Sequence, residues 1–264
     1  MAVKNLESTD KLKKTSTEEK NDRWRYPRFF GKNDGEKAYI TGEDAKHIGT
    51  VLRMGIGELA VICDNEYNDF LCRTVSVQKE LVEFDVLESR PNEARPSVEI
   101  TLFQCLPKSD KMDFIVQKAT ELGASKIVPV LSKRCVSRPD KKSIVKKILR
   151  WEKIAEEASK QCGGGKVPEI GKMTDFKAAV SEYSKIGTGI LFYECGGKSL
   201  SELPVKEASK IGVFIGSEGG FEPEEAELAE NNGIIPATLG KRILRCESAP
   251  VAALSILMNL TGNM

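Results

Sequence analysis

The sequence contains one histidine, His47, and its seven cysteines include no CxxC pair. Zinc centres normally use several histidines or closely spaced cysteines, so the sequence predicts no metal site. A catalytic triad of the Ser-His-Asp type would depend on this histidine alone. The odd number and scattered positions of the cysteines indicate free thiols in a reducing compartment rather than a disulfide framework.

Long apolar runs and an excess of one charge are also missing. No apolar stretch approaches the ~18 residues needed to cross a bilayer, so we expect no membrane partner. The 40 Lys and Arg residues nearly equal the 39 Asp and Glu residues, which excludes a uniformly basic nucleic-acid coat but allows a locally basic face. With 40% hydrophobic and 30% charged residues, the composition is that of a globular protein with a substantial core.

Residues 1–23 differ in composition from the rest, with six basic and five acidic side chains and few apolar ones. Such a segment buries too little apolar surface to offset the entropy that ordering would cost, so we predict a disordered tail. The segment lacks the apolar core of a signal peptide, and its acidic residues are unusual for a mitochondrial transit peptide. The expected location of the protein is therefore the cytoplasm.

The remaining chain divides into two parts, as expected when 264 residues exceed the ~150 residues of a typical domain. Short strands dominate residues 24–90, and one or two helical turns are predicted over 43–53. This part is expected to form a small β-barrel with one inserted helix. Residues 89–97 contain two prolines and no apolar periodicity, which predicts a linker. The predicted strands of the first part are 37–41, 59–63, 69–77 and 81–87.

Strands and helices alternate in the second part, residues 97–264. This order predicts an α/β fold, a mostly parallel sheet with helices on both faces. Ligands of such sheets bind in loops beyond the carboxyl ends of the strands. The predicted strands are 98–106, 126–131, 189–194, 211–216 and 234–239, and the predicted helices are 111–122, 143–162, 174–185, 223–232 and 248–261.

The segment IGSEGGF, residues 215–221, follows a predicted strand and contains three glycines within five residues. Glycines let a backbone turn sharply and approach a ligand closely. Residues 218–230 carry six acidic side chains and no basic one, which disfavours a phosphate and favours a neutral or cationic ligand. A strand-to-helix turn without a ligand is an equally good interpretation of the glycines.

The segment LGKRILRCESAP, residues 239–250, also lies between a predicted strand and an apolar helix. Arg242, Arg245 and Glu247 give it charges of both signs within a compact loop. For each residue taken alone, a solvated cation or a helix-capping carboxylate is the simpler interpretation.

Residues 133–150 contain eight Lys or Arg residues and one acidic residue, so basic charge is concentrated there. A solvated helix face is the usual interpretation of such a run. A track for a polyanion is the alternative.

Five blocks of sequence carry a family resemblance. They are YPRFF at 26–30, HIGTVLRMGIGE at 47–58, KSDKMDFIVQKATELGASKIVPV at 108–130, IGSEGGFEPEE at 215–225 and LGKRILRCESAPVAAL at 239–254. Together they resemble the ribosomal RNA small subunit methyltransferase E family of the SPOUT superfamily, from the first block to the C-terminus. The resemblance implies a PUA-like N-terminal barrel followed by an α/β domain with a trefoil knot, an exception to the near absence of knots in proteins.

The resemblance also implies an activity, a cofactor and partners. Family members methylate the ring imide nitrogen of a uridine in 16S rRNA and form 3-methyluridine, with S-adenosyl-L-methionine as the methyl donor. The implied partners are 16S rRNA or the small ribosomal subunit and a second copy of the chain in a homodimer. The implied donor site is formed by the strand end 191–195 and by residues 216–220 and 239–245. The residues named for it are Leu191, Tyr193, Ile215, Gly216, Glu218, Gly219, Gly220, Leu239, Gly240, Ile243, Leu244 and Arg245.

Candidate catalytic and RNA-binding residues follow from that reaction. Arg242 or Arg245 is suited to stabilise charge on the two carbonyl oxygens beside the uridine nitrogen, because the guanidinium donors are fixed in direction. Glu247 is a possible proton acceptor, with helix capping as an equal alternative. The residues expected to hold RNA phosphates are Arg28 and Arg53 in the barrel and Arg134, Arg138 and Lys166 in the second part.

One segment departs from the family pattern. Residues 161–168 read QCGGGKVP, with Gly164 where family members commonly carry an arginine and Lys166 as the only cation. If that arginine binds substrate, activity here would be weaker or its target shifted; alternatively, the glycines simply end a helix. Two other functions also remain open: a knotted methyltransferase acting on another RNA, and a non-catalytic RNA-binding protein.

Overall fold

The computed structural model describes residues 26–184 and 186–264, which belong to two compact units. The first unit ends at Glu93, and the second comprises Ala94–Met264. The segment predicted as a disordered tail, residues 1–23, lies outside the described residues. In the part that the structure describes, no helix has the length and apolar character that crossing a membrane requires.

The first unit is a six-stranded sheet in the order β1-β4-β5-β6-β3-β2. Its edge strands β1 and β2 are consecutive in the chain, with Gly31 as the one residue between them, so the sheet must curl until its two edges meet. A Cβ atom on Gly31 would lie 2.8 Å from the Tyr39 carbonyl oxygen and 2.6 Å from Ile40 Cδ1, which explains the glycine. The strands are β1 (Arg28–Phe30), β2 (Lys32–Asn33), β3 (Lys37–Thr41), β4 (Leu59–Cys63), β5 (Asn68–Val77) and β6 (Leu81–Pro91).

The barrel core forms because strand residues alternate between its inside and its outside. In β3, Ala38 and Ile40 are buried, whereas the strand ends Lys37 and Thr41 are exposed. The helical turns predicted over 43–53 are present as helix α1 (Gly42–His47) and a following π-helical segment (Ile48–Leu52). Sequence patterns did not identify β1 and β2, which are three and two residues long and too short to show an alternation.

The linker predicted for residues 89–97 is wrong over its first three residues. These continue β6, where Ser89, Arg90 and Pro91 pair with Phe70, Asp69 and Asn68 of β5. Proline is tolerated there because it is the last residue of the strand and no further ladder depends on its missing N–H.

The second unit contains a parallel seven-stranded sheet in the order β10-β8-β7-β12-β11-β13, with β9 beside β8. All of its strand pairs are parallel, as the alternation of strands and helices predicts. The strands are β7 (Glu99–Cys105), β8 (Lys126–Leu131), β9 (Glu169–Ile170), β10 (Thr174–Asp175), β11 (Thr188–Phe192), β12 (Lys210–Ile215) and β13 (Ile235–Ala237). The helices are α2 (Lys111–Glu121), α3 (Lys141–Cys162), α4 (Phe176–Tyr183), α5 (Pro223–Asn231) and α6 (Ser248–Leu260), with a 3-10 turn at Leu200–Glu202.

Helix α3 shows how the helices of this unit attach. Ile144, Trp151, Ala155 and Ala158 recur at helical spacing and are buried. The indole Nε1 of Trp151 donates a hydrogen bond to the Asp113 carboxylate of α2 (3.0 Å), so the buried ring has a polar partner. The predicted ranges of the five helices agree with the observed ones to within two residues, whereas β9 and β10 were not predicted. The trefoil knot and the exact domain boundaries stay predictions.

Candidate functional site

Four strands of the second unit end at the same edge of the sheet. Phe192 of β11 is in register with Ile215 of β12 and with Ala237 of β13, and Ile215 is in register with Gln104 of β7. The segments that follow must therefore start side by side. We call residues 216–220 the glycine loop and residues 239–247 the arginine loop.

The glycine loop is a tight turn that other residues cannot form without strain. The Gly220 amide donates to the Ser217 carbonyl oxygen (3.0 Å), and Gly220 has a φ of +69°, in the left-handed region. A Cβ atom on Gly216 would lie 2.9 Å from the Gly220 Cα. The following Phe221 is 1% exposed and anchors the end of the loop in the core.

Arg134, which follows β8, holds this loop in place. Its Nη1 donates to the Gly219 carbonyl oxygen (2.8 Å), and its Nε lies 3.0 Å from Glu222 Oε1. The hydrogen bond from Arg134 lowers the pKa of Glu222 below the ordinary carboxyl value. Arg134 is also one of the residues predicted to contact RNA phosphates, and here its guanidinium is bonded to the glycine loop and to Glu222.

Glu194 belongs to the 191–195 strand end that the resemblance implied for the donor site, although no role was predicted for it individually. It is the second residue after β11, and its Oε1 lies 3.6 Å from Arg134 Nη1. A Cβ atom on Gly220 would lie only 1.9 Å from the same oxygen, so Glu194 packs directly against the turn. The available sequence signal was an acidic residue at the carboxyl end of the predicted strand 189–194, where ligands of such sheets bind.

Lys111 joins the glycine loop to the arginine loop. This first residue of α2 places its Nζ 3.1 Å from Glu218 Oε1 and 3.1 Å from Glu247 Oε2. Glu218 also accepts the backbone N–H of Lys108 (3.1 Å). The two chain reversals predicted to form a ligand site are therefore bridged by a lysine that no local pattern identified.

Glu247 does not cap helix α6. It occupies the N-cap position with α-helical backbone angles, and its side chain makes no capping hydrogen bond, so the capping alternative is wrong. Hydrogen bonds from the Cys246 thiol and then from Lys111 lower the pKa of Glu247. The carboxylate form is thereby favoured, which makes Glu247 a weaker base than an ordinary glutamate.

The arginine loop presents its cations to solvent. Arg242 and Arg245 are exposed, and within residues 26–184 and 186–264 no side chain pairs with either guanidinium. Ile243 between them is 83% exposed. Gly240 begins the exposed part of the loop with a φ of +102°. This loop has its charged donors free to meet a substrate.

The residues expected at the donor site are mostly brought together. Leu191 and Ile215 are buried in their strands, so their side chains belong to the core and only the backbone beside them can face a ligand. The remaining members lie in the three adjacent segments after β11, β12 and β13; they are Tyr193, Gly216, Glu218, Gly219, Gly220, Leu239, Gly240, Ile243, Leu244 and Arg245.

The other residues expected to bind RNA differ in whether their side chains are exposed to solvent. In the barrel, Arg28 forms an ion pair with Asp69, and the two side chains are 9% and 3% exposed, so Arg28 is not presented to a phosphate. Arg53 is exposed and has a φ of +52° at the end of the π-helical segment. In the second unit, Arg138 and Lys166 are exposed.

The glycines of the QCGGGKVP segment end helix α3. Gly163 has a φ of +76°, and the amide of Gly164 donates to the Ser159 carbonyl oxygen (2.9 Å), the pattern of a glycine-terminated helix. The glycines at this departure therefore have a local structural reason.

The strand-end segments together suit a ligand that is neutral or positively charged. Carboxylates of Glu194, Glu218, Glu222 and Glu247 meet the cations of Arg134 and Lys111 around the glycine turn. An anionic ligand would be repelled by this excess of carboxylates. Below Gly216, the buried Oε1 of Gln104 lacks a hydrogen-bond partner among the described residues.

Comparison with known proteins decides the family. The model of an RNA methyltransferase domain matches residues 94–258, and the model of an RNA methyltransferase PUA domain matches residues 40–87. A ribosomal RNA small subunit methyltransferase E of Bacillus subtilis is 34% identical over 226 residues, which cover 82% of this chain and 87% of the relative. This chain belongs to the ribosomal RNA small subunit methyltransferase E family.

Solved structures agree with membership of the methyltransferase E family. A member from Neisseria gonorrhoeae bound to S-adenosyl methionine is 28% identical, with a TM-score of 0.81 and coverage of 89% of this chain and 98% of that one. A methyltransferase from Legionella pneumophila in complex with the same cofactor is also 28% identical, with a TM-score of 0.79 and coverage of 89% and 97%. The predicted family and the predicted fold class, a PUA-like barrel followed by a SPOUT α/β domain, are confirmed.

Proposed function

We propose that this protein transfers a methyl group from S-adenosyl-L-methionine to the ring imide nitrogen of a uridine in 16S rRNA, forming 3-methyluridine. The observation that carries this proposal is the contact between the glycine loop and the arginine loop through Lys111. It joins a turn suited to a cationic donor with a loop whose guanidiniums are free for a substrate. Family membership supplies the reaction class.

The glycine side of the site fits the donor. S-Adenosylmethionine carries a positively charged sulfonium, from which it supplies an electrophilic methyl group. Glu194, Glu218 and Glu222 give this side negative charge, and Arg134 and Glu194 pack against Gly219 and Gly220 and so fix the backbone of the turn. Beneath the turn, the buried Gln104 Oε1 is an acceptor that has no hydrogen-bond partner among the described residues. Glu194, Glu218, Glu222 and the turn would hold and orient the donor. We reassign to the nucleophile side the arginine-loop residues that the resemblance implied for the donor, namely Leu239, Gly240, Ile243, Leu244 and Arg245.

The arginine side is suited to the nucleophile. Transfer forms the bond between the ring nitrogen and the methyl carbon, breaks the methyl–sulfur bond and releases the nitrogen-bound proton to solvent. The negative charge that develops on the uridine is shared by its two carbonyl oxygens. We assign Arg242 and Arg245 to these oxygens, since fixed donors stabilise developing charge most effectively once RNA has displaced water. Glu247, with its lowered pKa, orients Lys111 rather than accepting the proton.

The target base must leave its stack to reach this edge, because methylation occurs on its pairing edge. We assign phosphate contacts to Arg53, Arg138 and Lys166 and omit Arg28 and Arg134, whose cations are committed to carboxylates. Family membership further supports a cytoplasmic homodimer with a knotted catalytic domain, acting on the small ribosomal subunit.

Reverse transcription tests the proposal directly. The protein is incubated with S-adenosylmethionine and 16S rRNA or small subunits, and primers are extended across the decoding region. We expect a donor-dependent stop at one uridine, because a methyl group on the pairing edge blocks extension. Reactions without donor, and reactions with a tRNA pool, serve as controls. Read-through on 16S rRNA together with a stop on tRNA would mean that the substrate is a tRNA. The absence of a donor-dependent stop on both RNAs would favour a non-catalytic RNA-binding protein.

A further inference from the structure

We propose that Lys111 is a positioning residue that sets the arginine loop for methyl transfer. This inference rests on the proposed function, because it assigns a role in that reaction. Lys111 begins α2, outside both loops, yet its Nζ contacts Glu218 of one loop and Glu247 of the other at 3.1 Å each. The Cys246 Sγ lies 3.7 Å from the same Nζ. Three separate chain segments therefore meet at one ammonium group.

The ammonium group is needed because the two carboxylates are close. Both lie within 3.1 Å of the same nitrogen, so they are no more than about twice that distance apart. Their side chains are 25% and 29% exposed, which limits screening by water. Without Lys111, two negative charges would repel each other across the contact between the loops.

The two carboxylates do not depend on Lys111 equally. Glu218 keeps a second anchor, because the backbone N–H of Lys108 donates to it (3.1 Å). Glu247 is otherwise bonded to the thiol of its own neighbour, Cys246 (3.2 Å), which fixes nothing beyond the arginine loop. Loss of Lys111 should therefore release the arginine loop and leave the glycine loop largely in place.

This asymmetry predicts a split between two kinetic quantities. In Lys111→Met, kcat at saturating donor and RNA should fall on the order of 10- to 100-fold, since small displacements of positioned groups have effects of that size. The dissociation constant of S-adenosylmethionine, measured by calorimetry, should rise by less than about threefold. Lys111→Arg should restore most of the turnover, because it keeps the charge between the two carboxylates.

Lys118 offers a matched control on the same helix. It forms an ion pair with Glu121 at 2.8 Å, and its side chain is 34% exposed compared with 31% for Lys111. Lys118→Met should keep both the turnover and the donor affinity of the unchanged protein. Glu247→Gln should reproduce the effect of Lys111→Met, and the double variant should be no worse than either, because both changes remove one interaction.

Hydrogen exchange separates this inference from the proposed function. Amides of residues 239–247 should exchange faster in Lys111→Met than in Lys118→Met, while those of 216–220 remain similar. Unchanged exchange in the arginine loop, or kcat within twofold of the unchanged protein, would overturn the role of Lys111. If the unchanged protein methylates no RNA, the proposed function fails, and the exchange experiment alone decides whether Lys111 fixes the loop.

Discussion

The glycine loop and the arginine loop both follow strands that end at the same edge of the sheet, but they differ in how many contacts hold them to the rest of the protein. The glycine loop is fastened by Arg134, by Gln104 and by its own internal hydrogen bond. The arginine loop presents Arg242 and Arg245 with no ion-pair partner among the described residues. This difference indicates that the two loops have different roles. The preformed turn of the glycine loop favours tight binding of a small donor, whereas the unpaired cations of the arginine loop gain their partners when RNA binds.

The largest effect is expected from the arginine loop. Arg245→Ala should lower kcat about 100- to 1,000-fold, the usual cost of removing one donor to a developing oxyanion. The affinity for S-adenosylmethionine should change by less than about threefold, because the glycine loop keeps its hydrogen bonds to Arg134 and Gln104. Lys241→Ala, in the same loop, should leave kcat unchanged at saturating RNA. If Arg245→Ala lowered the affinity for the donor as well as kcat, donor binding and catalysis would not be divided between the two loops.

The second effect concerns the glycine loop. Gly220→Ala should weaken donor binding about 100-fold, because left-handed backbone strain of ~1–3 kcal/mol adds to a collision with Glu194. Calorimetric titration measures this change. Gly233→Ala is the control, since Gly233 has a φ of +80° but no atom within 4 Å of an added Cβ. Equal donor affinity in the two alanine variants would mean that the packing of Glu194 against the turn is unimportant.

The smallest effect concerns the carboxylates that the two loops share through Lys111. The pKa of Glu218 is lowered, because backbone N–H groups and Lys111 outweigh its partial burial; the pKa of Glu247 is lowered by Cys246 and Lys111. Groups with a lowered folded-state pKa stabilise fully above their unfolded-state pKa, here near 4.5, and lose that contribution as pH falls through the folded-state pKa.

Urea unfolding at several pH values tests this. Above about pH 5.5, Glu218 and Glu247 should not make the free energy of unfolding depend on pH. Below pH 4.5, the free energy of unfolding should decrease as these carboxylates become protonated. The decrease should be shallower in a variant with Glu218→Gln and Glu247→Gln than in one with Glu227→Gln, an exposed residue of α5. Identical slopes in the two variants would show that the shared carboxylates do not gain their low pKa from the fold.

The sequence predicted the parts of the site that depend on local pattern. Apolar strands followed by glycines located the glycine loop, and Arg242 and Arg245 stood out as cations after a strand. Lys111 was missed, and Glu194 was included only as part of the 191–195 strand end, because their roles depend on contacts with residues at least 26 positions away along the chain. For the same reason Arg28 was assigned to RNA, although Asp69, far along the chain, neutralises it. A sequence shows how many charged residues a segment has, but it does not show which distant residue forms an ion pair with each of them.

The hydrogen bond from Trp151 to Asp113 gives this protein a built-in optical reporter. The chain has two tryptophans, and Trp151 is 1% exposed while bonded to a residue only two positions beyond Lys111. Replacing Trp24 with phenylalanine would leave one indole whose emission wavelength and quenching respond to movement at the start of α2. Donor binding and RNA docking could then be followed in real time without attaching a dye.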